Sequence, residues 1–158
     1  MKKILVAYFS ASGVTARLAG RLSEAVGADL FEITPAQKYT DADLNWMDKN
    51  SRSTLEMKDR SSRPEIANKT DMSAYDVVFV GFPVWWYREP SIIDTFLESY
   101  DFGGKTIVPF ATSGGSGLGE TAENFRALAP NAVIKEGKRF SSSIDASALK
   151  NWAEQFAD

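Results

Sequence analysis

The residues with the clearest chemical potential lie near the start of the chain, in the hydroxyl-rich stretch 10–15. Ser10, Ser12 and Thr15 carry hydroxyl donors, and Gly13 allows the backbone to approach a ligand closely. The stretch lies between an apolar run and a segment with helical spacing, so it forms a predicted helix N-terminus. Free backbone N–H groups and the positive end of the helix dipole bind phosphate at such a position. The sequence therefore predicts a phosphate site built from amides and hydroxyls.

Two better-known phosphate-binding patterns do not fit this stretch. A Walker A loop needs a Lys followed by Ser or Thr after its last glycine, and a dinucleotide loop needs three spaced glycines. Residues 115–119 also follow a strand, but their G-x-G-x-G spacing differs from the dinucleotide pattern. Glu136, at the distance of a ribose contact, falls inside a predicted strand rather than at its end. The alternative for the first stretch is that its Ser and Thr residues only cap the helix.

Two further stretches offer ligand contacts after predicted strands. The first is aromatic and comprises Pro83, Val84, Trp85, Trp86 and Tyr87. The second is rich in glycine and hydroxyls and comprises Thr112, Ser113, Gly114, Gly115, Ser116 and Gly117. The aromatic stretch is typical of a slot for a flat ring, and the glycine-rich stretch lets backbone amides approach a planar ligand. The alternatives are that the aromatic side chains cover the sheet edge or form a dimer contact, and that the glycine-rich stretch is a surface loop.

The elements that must position these stretches alternate along the chain. Apolar runs predict strands at 2–9, 29–34, 76–82, 105–111 and 132–140, and helical spacing predicts helices at 16–26, 91–100, 120–128 and 145–156. Gly27 is expected to end the first helix and Asp145 to cap the last one. Such alternation predicts a three-layer, doubly wound α/β fold with a parallel sheet. Ligands of this fold bind beyond the carboxyl ends of the strands, where all three stretches are expected.

Residues 39–70 form a polar excursion between the second and third strands. Part of 41–57 is expected to be helical, with Leu44, Met47 and Leu55 as apolar anchors. Trp46 is interpreted as a packing anchor for the same segment rather than as a ligand contact.

Composition excludes several classes of chemistry. The 158 residues include no Cys and no His, so Ser-His-Asp and Cys-His nucleophiles, thiol redox chemistry and Cys/His zinc sites are absent. A net charge of −3 argues against nucleic acid or an anionic membrane as the main partner. The apolar start is too short for a signal peptide, and no run approaches a membrane span. We therefore expect one cytoplasmic domain over residues 1–158.

The three loops together call for a ligand with a phosphate, a polar linker and a flat heteroaromatic ring, which describes flavin mononucleotide (FMN). The sequence resembles the short-chain flavodoxin-like family over nearly its whole length. The resemblance lies in S/T-x-T/S-G-x-T at 10–15, P-V/I-W-W at 83–86, T-S-G-G-S-G at 112–117 and the tetrapeptide at 63–66. It implies a five-stranded sheet in the order 2-1-3-4-5, with FMN at the switch point between strands one and three.

The same resemblance implies roles for individual residues. The phosphate would be bound by Ser10, Ala11, Ser12, Gly13, Val14 and Thr15. Residues 83–87 would flank the isoalloxazine ring, and residues 112–117 would approach its other edge. Two positions depart from the family pattern: Val14 replaces a frequent Asn, and Tyr87 replaces a frequent Gly.

Three functions remain open at this level. The chain is expected to be an FMN oxidoreductase that takes hydride from NAD(P)H and reduces a small acceptor such as a quinone. The alternatives are an electron-carrying flavodoxin that docks on redox proteins, and a flavin-free module that binds a partner. Carriers usually steer association with a strongly acidic face, and a net charge of −3 is modest for that. The aromatic loop could equally serve a homodimer.

Overall fold

The computed structural model describes residues 3–11, 13–85, 88–112, 117–141 and 143–157. The strands are β1 (Ile4–Tyr8), β2 (Asp29–Glu32), β3 (Val77–Pro83), β4 (Thr106–Thr112), β5 (Val133–Ile134) and β6 (Lys138–Phe140). The helices are α1 (Val14–Val26), α2 (Arg52–Lys58), α3 (Ser91–Glu98), α4 (Thr121–Leu128) and α5 (Ala146–Ala157).

The strands form one parallel sheet in the order β2-β1-β3-β4-β5, with β6 paired to β4 beyond β5. This confirms the predicted order and the α/β class. Side chains of successive residues in β1 enter two different apolar clusters, one on each face of the sheet. Helices α3 and α4 cover one face with Phe96 and Phe125, whereas α1 and α5 cover the other with Leu22 and Trp152. Strands buried on both faces explain the near-continuous apolar runs of the sequence.

The prediction of one continuous strand over 132–140 is wrong, because the structure divides this stretch into β5 and β6. The Ile107 carbonyl of β4 accepts from the Lys135 N–H at 3.0 Å. Every second residue of β4 points its backbone N–H and carbonyl toward the outer strand. After Ile107 the next such residue is Pro109, which has no N–H to donate. Gly137 passes so close that an added Cβ would lie 2.0 Å from the Pro109 carbonyl oxygen. The missing donor and the close approach interrupt the ladder. Glu136 consequently lies between two strands.

The helix ends follow the predicted signals. Gly27 ends α1 in the left-handed conformation with φ 63°. The Asp145 carboxylate accepts from the Ser147 N–H at 2.8 Å and so caps the first turn of α5. Helix α1 begins at Val14, two residues earlier than predicted. Thr15 is the buried residue of its first turn, and because it is polar the hydrophobic periodicity does not mark this turn.

The predicted anchors of the 39–70 segment are largely wrong. Trp46 is 70% exposed, Met47 is 73% exposed and Leu55 is 52% exposed, whereas Leu44 is partly buried. Helix α2 forms within the expected region, but it turns Ser53, Thr54 and Met57 inward. The predicted apolar anchors are wrong because the inward face of this helix consists mainly of hydroxyl side chains.

Among the helices that the structure describes, none has both the length and the apolar character that a bilayer span requires.

Candidate functional site

The predicted phosphate loop connects β1 to α1 at the carboxyl edge of the sheet. Gly13 occupies the N-cap position with φ 93°, which a residue with a side chain rarely adopts. Its N–H donates to the Ser10 hydroxyl at 3.0 Å. No side chain caps the helix from Gly13, and residues 14–17 contain no acidic residue. The first N–H groups of α1 are therefore candidates for binding an anion. The alternative interpretation, capping by Ser or Thr, involves Ser12, which lies outside the described residues.

The end of β4 touches the first turn of α1 through a buried pair of hydroxyls. Thr15 Oγ1 lies 2.8 Å from Thr112 Oγ1, and both residues are buried. The pair holds the end of β4 against the N-terminus of α1.

Backbone hydrogen bonds join the carboxyl ends of β1, β3 and β4. The Phe9 N–H donates to the Gly81 carbonyl at 2.9 Å, and the Val84 N–H donates to the Thr112 carbonyl at 3.3 Å. The structure thus brings Ser10, Thr15 and Thr112 together with the start of the aromatic loop. Pro83 ends β3 itself, and Gly117 is exposed. The predicted contacts Ser12, Trp86, Tyr87, Ser113, Gly114, Gly115 and Ser116 lie outside the described residues.

Trp85 belongs to an aromatic cluster at this edge. Its ring meets Phe9 edge-on at 5.8 Å between centroids and Tyr39 at 5.6 Å. Trp85 and Arg88 also exchange two backbone hydrogen bonds, of 3.1 and 3.2 Å, which fix the base of the aromatic loop. Trp85 is therefore held in place by neighbours on two sides.

Tyr39 is a site residue that the sequence analysis did not identify. The Arg52 guanidinium stacks on its ring at 3.7 Å, and its hydroxyl donates to Glu56 at 2.5 Å. Burial, and then the Glu56 carboxylate, raise the pKa of Tyr39 far above its usual range, so the phenol stays neutral. The 39–70 segment thus supplies one wall of the aromatic cluster. No local sequence signal marks Tyr39, because its contacts come from three separate parts of the chain.

A cavity of about 170 Å³ adjoins the phosphate loop on the β2 side. Ser10 and Ala11 line one wall, and Tyr39 lines another. Lys38 also lines this cavity. It brings a cation close to the phosphate loop 10–15, which itself contains no Lys or Arg.

Three ionisable side chains are buried between the end of the aromatic loop and the first turn of α3. Arg88 is 4% exposed, Glu89 is fully buried and Asp94 is 5% exposed. Arg88 Nη1 lies 3.5 Å from Asp94 Oδ2, and Arg88 Nη2 donates to the Met57 carbonyl at 3.0 Å. Arg88 therefore connects the aromatic loop, the end of α2 and the first turn of α3.

Glu89 completes this buried group as a neutral acid. Burial, and then the Asp94 carboxylate, raise the pKa of Glu89 well above its usual range, although the Asn124 amide opposes the shift. Among the described residues, Asp94 Oδ1 is buried without a hydrogen-bond partner. A proton retained on Glu89 would give this oxygen a donor.

We expect Glu89→Gln to flatten the pH dependence of stability. The folded protein keeps the Glu89 proton above pH 4.5, where an unfolded chain releases it, so rising pH favours unfolding. The wild-type free energy of unfolding should fall relative to the variant by up to about 1.4 kcal/mol per pH unit between pH 5 and 8. Gln can still donate to Asp94 and accept from Asn124. Urea midpoints at both pH values check this, and parallel pH profiles for the two proteins would contradict it.

Comparisons with known proteins agree with this architecture. The flavodoxin family model matches residues 3–156. A candidate flavoprotein from Bacteroides eggerthii is 49% identical, with a TM-score of 0.93 and coverage of 100% of this chain and 99% of that one. A second from Bacteroides uniformis is 45% identical, with a TM-score of 0.91 and coverage of 97% and 98%.

A more distant similar structure contains a bound ligand. The flavoprotein from Lactobacillus acidophilus NCFM, solved in complex with FMN, is 24% identical, with a TM-score of 0.73 and coverage of 97% of this chain and 99% of that one. Comparison with curated proteins gives no match.

Proposed function

Because the chain belongs to the flavodoxin family, we propose that it binds FMN and, in a single domain, catalyses NAD(P)H-linked reduction of a small acceptor such as a quinone. The observation that carries the proposal is the meeting of the carboxyl ends of β1, β3 and β4 beside the N-terminus of α1, where Gly13 provides no side-chain cap. The FMN complex of the similar Lactobacillus acidophilus protein supports the choice of ligand.

The residues of the loop after β1 suit the phosphate of FMN. Amides of the first turn of α1 and the hydroxyls of Ser10 and Ser12 would bind the phosphate oxygens. The space around Gly13 is open, since an added Cβ would meet nothing within 4 Å. A phosphate can therefore approach the backbone at this position.

The other two loops would hold the ring system. Residues 83–87 would lie along one side of the isoalloxazine, and residues 112–117 would approach its other edge with backbone amides. When bound, FMN supplies the two-electron chemistry, and the protein supplies position and electrostatics. The net reaction converts NAD(P)H, a proton and a quinone into NAD(P)⁺ and a hydroquinone.

A second candidate function is electron carriage between redox proteins. It is favoured by the adjacent exposed side chains of Trp46 and Met47, which offer an apolar contact to a partner. They belong to the same 39–70 segment that packs Tyr39 against Trp85.

Two measurements test these functions in sequence. The absorbance spectrum of the purified protein, before and after addition of FMN, should show bound flavin. A protein that takes up no FMN would exclude both flavin functions and favour a flavin-free module that binds a partner. Steady-state assays with NADH or NADPH and a soluble quinone should then show turnover above that of free FMN. A flavin-loaded protein without turnover would identify the carrier.

A further inference from the structure

A second cavity, of about 190 Å³, lies on the α3–α4 side of the sheet. Arg60 and Arg63 enter it from the 39–70 segment, and Arg88 enters from the end of the aromatic loop. Asp94 and Asn124 complete its polar lining. The 63–66 tetrapeptide contributes Arg63 to this cavity, and none of the described lining residues is a proposed FMN contact.

The charge of the lining favours an anion. Three guanidinium groups face the cavity, and Asp94 is the carboxylate among its lining residues. The Glu98 and Glu120 carboxylates, which pair with Arg63 and Arg60, are not part of the lining. Guanidinium groups bind phosphate through forked, charge-assisted hydrogen bonds.

The ion pairs of Arg60 with Glu120 and of Arg63 with Glu98 do not prevent such binding, whereas Arg88 stays paired with the buried Asp94 and adds its positive charge to the wall. The side chains of Arg60 and Glu120 are 60% and 54% exposed, and those of Arg63 and Glu98 are 31% and 47% exposed. Exposed pairs of this kind contribute about 1 kcal/mol or less. A phosphate dianion carries twice the charge of a carboxylate and can replace these partners.

The cavity also lies within reach of the proposed flavin site. Arg88 and Trp85 form a hydrogen-bonded antiparallel pair, for which Cα atoms are about 5.5 Å apart. The Arg88 side chain extends from this pair to the cavity wall. A ligand in contact with Trp85 therefore lies beside the residue whose side chain lines the arginine cavity.

From these observations we propose that the arginine cavity binds the 2′-phosphate of NADPH and makes the protein selective for NADPH over NADH. This inference rests on the proposed reductase function. The chemical group recognised is a phosphate monoester, and the 2′-phosphate distinguishes the two nicotinamide cofactors.

The test compares the FMN-loaded wild-type protein with Arg60→Gln/Arg63→Gln. Both side chains are partly exposed, so the fold should be retained. Wild-type kcat/KM should be at least about tenfold higher for NADPH than for NADH, and the double variant should lose that preference through KM for NADPH. The control Lys150→Gln removes a cation from an exposed ion pair on α5, across the sheet, and should leave the preference unchanged.

A binding measurement separates this proposal from the reductase function. Calorimetry with adenosine 2′-phosphate should show binding that is weakened about tenfold or more in the double variant, with 5′-AMP and inorganic phosphate as comparisons. If the protein shows no turnover but binds adenosine 2′-phosphate in this way, the reductase function fails and the phosphate site stands. Equal use of NADH and NADPH, an unaltered preference in the double variant, or no binding of adenosine 2′-phosphate would overturn the site.

Discussion

Gly13→Asp should weaken FMN binding by at least about thirtyfold while leaving the fold intact. The substitution places a carboxylate at the mouth of the phosphate loop, where two like charges about 4 Å apart repel by up to about 4 kcal/mol near a protein surface. The fold should survive because an added Cβ at Gly13 meets nothing within 4 Å. Titration of FMN fluorescence gives the dissociation constant, and circular dichroism checks the fold.

Gly13→Asn is the matched control for this substitution. Both variants impose the same side-chain size and the same strain at φ 93°, for which Asn and Asp are better suited than most residues. Their difference therefore isolates the charge. Equal FMN affinities for the two variants would show that the phosphate is bound elsewhere.

Arg88→Met should lower the free energy of unfolding at neutral pH by about 3–5 kcal/mol, because it removes one partner of a buried ion pair. Asp94 would keep a charge in a site where it is 5% exposed and where Glu89 is already a neutral acid. Arg63 lies 4.0 Å from Asp94 and is engaged with Glu98, so it replaces Arg88 only in part. Urea unfolding of both proteins measures the loss.

The second substitution Asp94→Asn tests the cause. An amide at this position would remove the uncompensated charge, so Arg88→Met/Asp94→Asn should be more stable than Arg88→Met alone. A double variant no more stable than the single one would show that Arg88 acts through packing and not through charge.

The main architecture was predictable because local signals and global topology agree. β3 is apolar nearly throughout, as a strand covered on both faces must be, and Gly27 and Asp145 end and begin their helices as their chemistry requires. The loops after β1, β3 and β4 were expected at one edge because parallel strands present their carboxyl ends together. The contact between Thr15 and Thr112 follows from that topology.

Other features were beyond local reasoning. Pro109 and Gly137 read as ordinary residues in two predicted strands, and only their juxtaposition interrupts the outer ladder. Trp46 is apolar enough to suggest an anchor, yet it is exposed, because the hydroxylic face of α2 packs inward instead.

By itself, the sequence determined the order of strands and helices, the hydroxyl-rich turn at the first helix and the exclusion of thiol and imidazole chemistry. Only the tertiary structure decided that Tyr39 supports Trp85, that burial and Asp94 raise the pKa of Glu89, and that three arginines line one cavity. The physical reason is the distance along the chain over which each effect acts. Backbone preference and hydrophobic periodicity act over a few residues, whereas desolvation and ion pairing depend on which distant segments enclose a side chain.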